Sequence, residues 1–115
     1  MRSLGVETDA GRSIITTGAQ NGMLAAFSAL MRAGDTILVE KLTYPGIVPL
    51  AEMLGLKIQP VGMDADGVRP DSLEEACRSF APRALYCMPT LHNPTNAVMG
   101  AQRREDIAAI AERYN

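Results

Sequence analysis

The sequence predicts an α/β fold built on a largely parallel sheet. Short β-branched runs alternate with longer amphipathic runs along the whole chain, the pattern that βα units leave in a sequence. Turn-forming Gly, Pro, Asn and Asp mark the joints between them. Hydrophobic residues make up 47% of the chain and charged residues 21%, a balance that supports a packed core rather than disorder. At 115 residues, the chain is one ordinary domain or a piece of a larger one.

Taken in order, Ser13 to Thr17 (Ser-Ile-Ile-Thr-Thr) reads as a strand ending at Gly18. Ala19 to Arg32 reads as a helix, with Met23, Leu24, Phe27, Leu30 and Met31 on one face at 3.6-residue spacing. Gly34 suits its end. Thr36 to Glu40 is the second strand, and Gly46 to Leu54 the second helix. Gly55 followed by Leu56 predicts a Schellman termination. Lys57 to Val61 is a short third strand, and Asp64-Ala65-Asp66-Gly67 a turn. A third helix starts near Pro70 and Asp71, where Asp71 to Glu74 has capping-box spacing, and ends before Pro82. Ala84 to Met88 is the fourth strand, and Pro89 to Gly100 a loop rich in Pro and Asn. Gln102 to Tyr114 is the last helix, with Ile107, Ile110, Ala111 and Tyr114 on one face. The chain stops after a helix where a βα series calls for another strand. It is therefore expected to be an incomplete domain.

Composition excludes several classes of function. The formal net charge is −2, the only lysines are Lys41 and Lys57, and no Lys/Arg run occurs, so a nucleic-acid surface is not expected on this segment. No apolar stretch reaches the length of a transmembrane helix, and the first residues carry no signal-peptide core. Cys77 and Cys87 match no zinc or redox spacing. They read as buried thiols of a reducing cytoplasm. With a single histidine beside them, no metal site is expected.

Three motifs fall at predicted strand ends. In Thr16-Thr17-Gly18-Ala19-Gln20 a strand ends, a glycine turns the chain and a helix begins. The first amides of a helix lack intrahelical partners and carry the positive end of its dipole, so a phosphate fits there. A plain strand–helix turn is the bland alternative. The motif is neither a Walker loop nor the dinucleotide Gly-x-Gly-x-x-Gly. In Leu42-Thr43-Tyr44-Pro45-Gly46, a tyrosine past a strand end offers an aromatic face to a ligand, or else caps the core. In Met88-Pro89-Thr90-Leu91-His92-Asn93-Pro94-Thr95-Asn96, the Asn93 amide carries both a donor and an acceptor. Two prolines stiffen this loop and invite a cis peptide bond. His92 reads as a structural or supporting residue rather than a catalytic one.

Thr17-Gly18-Ala19-Gln20, Tyr44 and Asn93-Pro94-Thr95, in this order, resemble the class I/II aminotransferases of the fold-type-I pyridoxal-5′-phosphate (PLP) group. The resemblance runs from about Ser13 to Tyr114 and includes Arg103-Arg104 in the last helix. The wording around Glu40 to Gly46 and Pro89 to Thr95 is most similar to MocR-type regulators. These join a GntR-type winged-helix DNA-binding domain to an aminotransferase-like domain. The resemblance implies a three-layer αβα arrangement with a mostly parallel sheet, of which residues 1–115 form the N-terminal part of the PLP-binding large domain. It implies that Ala19 and Gln20 give amides to the PLP phosphate while Gly18 allows the turn. It further implies that Tyr44 stacks on the pyridine ring, and that Asn93 donates to the phenolic oxygen across a cis Asn93–Pro94 bond. The family usually reads Asn-Pro-Thr-Gly, and Asn96 stands in place of the glycine here. Asn tolerates left-handed geometry, so the turn is expected to survive.

The resemblance also implies what lies elsewhere: the Schiff-base lysine, the aspartate for the pyridinium nitrogen and the arginine for the substrate carboxylate. No catalytic residue is assigned in this segment, and Lys41 and Lys57 are wrongly placed for the Schiff base. The chain alone is expected to be inactive, to form no specific lysine adduct with PLP, and to dimerise or be marginally stable through open sheet edges. The leading expectation is the PLP-binding sensor portion of a cytoplasmic, homodimeric regulator. It would bind an amino-acid-like small molecule and reach DNA only through a separate domain. A genuine aminotransferase, or a fragment that binds no cofactor, are the alternatives. A dinucleotide-binding domain is the fallback, with Glu40 near the position of its acidic residue.

Overall fold

The computed structural model describes residues 13–114 together with Asp9 and Gly11. It divides into two compact units, Met1–Leu30 and Met31–Asn115.

In the first unit, helix α1 spans Ala19–Leu30. It begins where Gly22 N–H reaches the carbonyl of Gly18 at 3.1 Å. Gly18 has φ +97°, a conformation open to glycine at little cost. Met23, Leu24 and Phe27 are half-buried while Leu30 is exposed, and α1 has no fully buried residue. The strand expected at Ser13 to Thr17 is not formed: these residues have no regular structure, and Ile14 and Ile15 are 90% and 99% exposed. A strand exists by pairing, and no strand among the described residues offers this segment a ladder. Its β-branched residues are a propensity without a partner.

The second unit holds a parallel three-stranded sheet. Strand β1 is Thr36–Glu40, helix α2 Ile47–Met53 and strand β2 Lys57–Val61. A two-residue hairpin follows, β3 Met63–Asp64 with β4 Gly67–Val68. Helix α3 is Pro70–Phe80, strand β5 Ala84–Tyr86 and helix α4 Ala101–Tyr114. The spatial order is β2-β1-β5, with both pairings parallel. Pro60 lies opposite Val39 in β2. Lacking an N–H, it suits an edge strand.

Strand alternation sorts the core. Leu38 joins Val61, Val68, Leu73, Ala76, Cys77, Met99, Ile107 and Ile110 in one cluster, to which α3 and α4 contribute. Ile37 and Val39, on the opposite face of β1, are equally buried. Helix α2 packs on β2 and buries Ile47, Leu50 and Ala51. The result is part of a three-layer αβα arrangement.

The end of α2 is the Schellman motif expected from Gly55-Leu56. Leu56 N–H bonds the Ala51 carbonyl at 2.8 Å, and Gly55 N–H that of Glu52 at 3.0 Å. The start of α3 differs from expectation. Its cap is Arg69 with Pro70 in the first turn, and no side chain caps it. The Asp71 carboxylate turns outward to pair with the Arg69 guanidinium instead, which holds it below the usual carboxylate range. With Arg69 as the N-cap, Asp71 stands at the second helical position, inside the first turn rather than at the place from which a capping side chain acts. Strand β5 ends at Tyr86, two residues short of the expected Met88, because Met88 N–H bonds a side chain rather than a neighbouring strand.

Candidate cofactor-binding site

The strand order decides where a ligand can lie. From the central β1, the chain crosses to β2 on one side and reaches β5 on the other. In parallel sheets, the crevice at such a reversal, beyond the carboxyl ends of the strands, is where ligands bind. Two of the expected motifs occupy this position: the 41–46 loop follows β1, and the 87–100 loop follows β5. Tyr44 is half-buried, and Asn93 and Pro94 are exposed. Gly18, Ala19 and Gln20 belong to the other unit, where they stand exposed at the start of α1. No atom lies within 4 Å of where a Cβ on Gly18 would be.

The Asn93–Pro94 peptide is cis. Asn96 has φ +59°, so it takes the left-handed conformation usually given to glycine, as expected from its short polar side chain. Leu91 also has a positive φ, +50°. The loop is held from α4 by Arg104. Its Nε donates to the Met99 carbonyl at 2.8 Å, and its Nη2 to the Pro89 carbonyl and to Thr90 Oγ1, both at 2.8 Å. The adjacent Arg103 turns the other way, to the Asp64 carboxylate and the Val68 carbonyl of the hairpin. Asp64 is thereby held below the usual carboxylate range.

A buried polar network joins the end of β1 to the 87–100 loop. Glu40 and His92 are both 0% exposed. Glu40 Oε2 accepts from Met88 N–H at 3.0 Å. His92 Nε2 stands 3.0 Å from the same oxygen, within ion-pair distance but without the alignment of a good hydrogen bond. His92 Nδ1 lies 2.8 Å from Thr95 Oγ1. Burial pushes the Glu40 carboxyl above its ordinary range, against the opposing pull of Met88 N–H and His92. Glu40 Oε1 and Thr43 Oγ1 are buried without a hydrogen-bond partner. Burial, followed by the Glu40 charge, raises Tyr86 and Cys87 as well.

His92 is thus a supporting residue, as its sequence context suggests. The sequence marks Glu40 only as lying near the acidic position of a dinucleotide-binding fallback and as the start of the MocR-like run to Gly46, and its burial against His92 removes it from an open crevice. The available signal was an acidic residue closing an otherwise apolar strand, Thr-Ile-Leu-Val-Glu. Among the described residues, no group of His, Cys, Asp and Glu could hold a metal ion, and both cysteines are free.

The fold is that of an α/β protein whose Tyr44 and Asn93 loops follow neighbouring parallel strands at a strand-order reversal. The profile of the family "Aminotransferase class I and II" matches residues 2–115. The chain belongs to this family. It is 36% identical over 96% of its length to an uncharacterized HTH-type transcriptional regulator of Bacillus subtilis, covering 24% of that protein. It is 34% identical over 88% of its length to an aromatic amino acid aminotransferase of Schizosaccharomyces pombe, covering 22% of it. The chain therefore spans about a quarter or less of these relatives. Among solved structures, an aminotransferase of Candida albicans superposes with a TM-score of 0.78 at 34% identity, over 83% of this chain and 20% of that one. The α-aminoadipate aminotransferase of Thermus thermophilus, complexed with N-(5′-phosphopyridoxyl)-L-leucine, does so with a TM-score of 0.77 at 27% identity, over 85% and 25% of the respective chains.

Proposed function

We propose that this chain is the N-terminal part of a PLP-binding, aminotransferase-like sensor domain in a MocR/GntR-type transcriptional regulator, cytoplasmic and homodimeric. The observation that carries the PLP reading is the placement of the Tyr44 and Asn93 loops on neighbouring parallel strands at the reversal of strand order. The residues present suit the cofactor. The open helix start at Gly18, Ala19 and Gln20 suits its phosphate. Tyr44 has the aromatic face for its ring, and Asn93 the amide for its phenolic oxygen. When bound, PLP supplies an electron sink for bonds at the amino-acid α-carbon. The residues of this chain bind and orient it. The lysine, aspartate and carboxylate-binding arginine of the family are assigned to sequence outside this segment, so this chain alone is inactive.

The similarity to a helix-turn-helix regulator along 96% of the chain supports the regulatory reading. The amino-acid-like ligand would be sensed here, and DNA would be bound by a separate domain. The similarity to an aromatic amino acid aminotransferase favours a second reading, a catalytic enzyme. Among the described residues no helix is long and apolar enough to cross a membrane.

One experiment tests both readings. The full-length protein carrying this chain is titrated with PLP by calorimetry, then assayed for amino-group transfer and for PLP-dependent DNA binding. PLP binding with DNA binding and no transfer supports the regulator. Binding with rapid transfer and no DNA binding selects the enzyme. Absence of PLP binding overturns both. Asn93→Ala is expected to weaken PLP binding roughly ten-fold, as loss of one hydrogen bond to a charged oxygen would.

A further inference from the structure

Glu40 and His92 touch no ligand in the reading above, yet both are wholly buried between the loops that carry Tyr44 and Asn93. A buried polar pair costs stability unless its hydrogen bonds are made. The hydrogen-bond directions settle how it works. Thr95 N–H points at His92 Nδ1 from 3.4 Å, and an amide can only donate. Nδ1 is therefore the acceptor, and it also takes the Thr95 hydroxyl proton at 2.8 Å. Thr95 Oγ1 in turn accepts from Ala97 N–H at 3.3 Å. The ring proton then belongs on Nε2, which faces Glu40 Oε2 at 3.0 Å. The polar chain runs from Ala97 through Thr95 and His92 to Glu40, and Met88 N–H closes it from the end of β5. Asn93 lies between His92 and Thr95, so both of its flanks are pinned. The His92 backbone adds two ties: its N–H to the Ala97 carbonyl at 3.0 Å, and its carbonyl from Asn96 N–H at 2.6 Å.

We infer that Glu40, His92 and Thr95 are positioning residues: a buried chain of polar contacts, hydrogen bonds at Met88 and Thr95 joined by the 3.0 Å approach of His92 Nε2 to Glu40 Oε2, that fixes the backbone on both sides of Asn93. This rests on the PLP reading, since the oxygen that Asn93 would meet belongs to that cofactor. The relay needs an acceptor at Oε2 and a donor at Nε2. The titratable groups facing Glu40 are His92 from the 87–100 loop and Tyr86 and Cys87 from β5 and its end.

The discriminating variants follow from that chemistry. Glu40→Gln keeps the acceptor, and His92→Gln keeps a donor near Nε2. Glu40→Leu and His92→Leu remove them. In the full-length protein, PLP dissociation constants are measured well below each variant's melting temperature. The two Leu variants are expected to bind PLP roughly ten-fold or more weakly, the effect of leaving a buried partner unpaired. The two Gln variants are expected to stay within about three-fold of wild type. The Glu40→Leu/His92→Leu double variant should bind no more weakly than either single, because one relay is broken once. The relay also has a signature that does not depend on variants folding. In the wild type, nitrogen-15 spectra of His92 should show a proton fixed on Nε2 and Nδ1 as an acceptor. A proton on Nδ1, or averaging between both nitrogens, overturns the inference. So does PLP binding that is unchanged in folded Leu variants while the wild type binds. A wild type that binds no PLP overturns the proposed function, and this inference with it.

Discussion

Replacing Arg104 with lysine isolates what a forked guanidinium does for the 87–100 loop. Arg104 reaches across from α4 with three hydrogen bonds of 2.8 Å, to the Met99 carbonyl, the Pro89 carbonyl and Thr90 Oγ1. The first two acceptors bracket the loop, and Met99 N–H bonds the Pro89 carbonyl at 2.9 Å to close it. A lysine keeps the charge but offers a single nitrogen, which cannot span acceptors that the planar fork reaches from two directions. Charge-assisted bonds contribute about 1.5–3 kcal/mol each when buried. Arg104 is exposed, and water replaces part of what is lost, so losing two of the three is expected to cost about 1–2 kcal/mol in total. That corresponds to a roughly five- to thirty-fold rise in loop opening. Hydrogen exchange of the full-length protein reads this directly. The amides of His92, Asn96, Ala97 and Met99 should exchange faster by that factor, while those of Ile37, Leu38 and Val39 in β1 stay at the wild-type rate. If the loop amides of Arg104→Lys exchange as in wild type, charge rather than fork geometry holds the loop, and the reasoning fails.

Three further outcomes are expected. Glu40→Gln should flatten part of the pH dependence of stability. Burial raises the folded carboxyl above its reference of 4.5, so the folded state binds the proton more tightly. Its contribution is present at low pH and lost as pH rises above about that value. Wild type should therefore lose stability relative to Glu40→Gln as pH rises above 4.5 in denaturant melts, and a parallel pair of curves would contradict the burial argument. Asn96→Val places a β-branched residue at φ +59° and should lower stability by about 1–2 kcal/mol, while Asn96→Gly should be neutral or mildly stabilising. Thermal melts of the pair separate backbone geometry from side-chain chemistry. Leu73→Ala opens a cavity at a core position that is 1% exposed, and should cost about 2–5 kcal/mol by denaturant titration.

Local signals were read where local physics decides. Strands β1 and β2 stand at the expected residues because their apolar runs are bounded by Gly34, Gly55 and Gly62, and the bonds at Gly55 and Leu56 follow from glycine's freedom at positive φ. Helix α4 begins one residue before the expected Gln102, and α2 one after the expected Gly46, the ordinary fraying of a helix end. Asp71 shows the limit of local reading. Its spacing to Glu74 fits a capping box, but α3 starts at Pro70, which puts Asp71 inside the first turn rather than at its cap.

The sequence by itself determined the α/β class, strands β1 and β2 and helices α2 to α4 in order, the family, and the motifs around Gly18, Tyr44 and Asn93, because periodicity, turn residues and side-chain chemistry act over a few residues. Tertiary structure alone decided the rest. Strand formation at Ser13 to Thr17 depends on a pairing partner, which propensity does not supply. The sheet order β2-β1-β5 makes neighbours of Tyr44's strand and Asn93's strand. That same order buries Glu40 against His92, residues far apart in sequence whose meeting no local pattern encodes. Burial then decides their chemistry, because a carboxyl and an imidazole removed from water are governed by the few groups that still reach them.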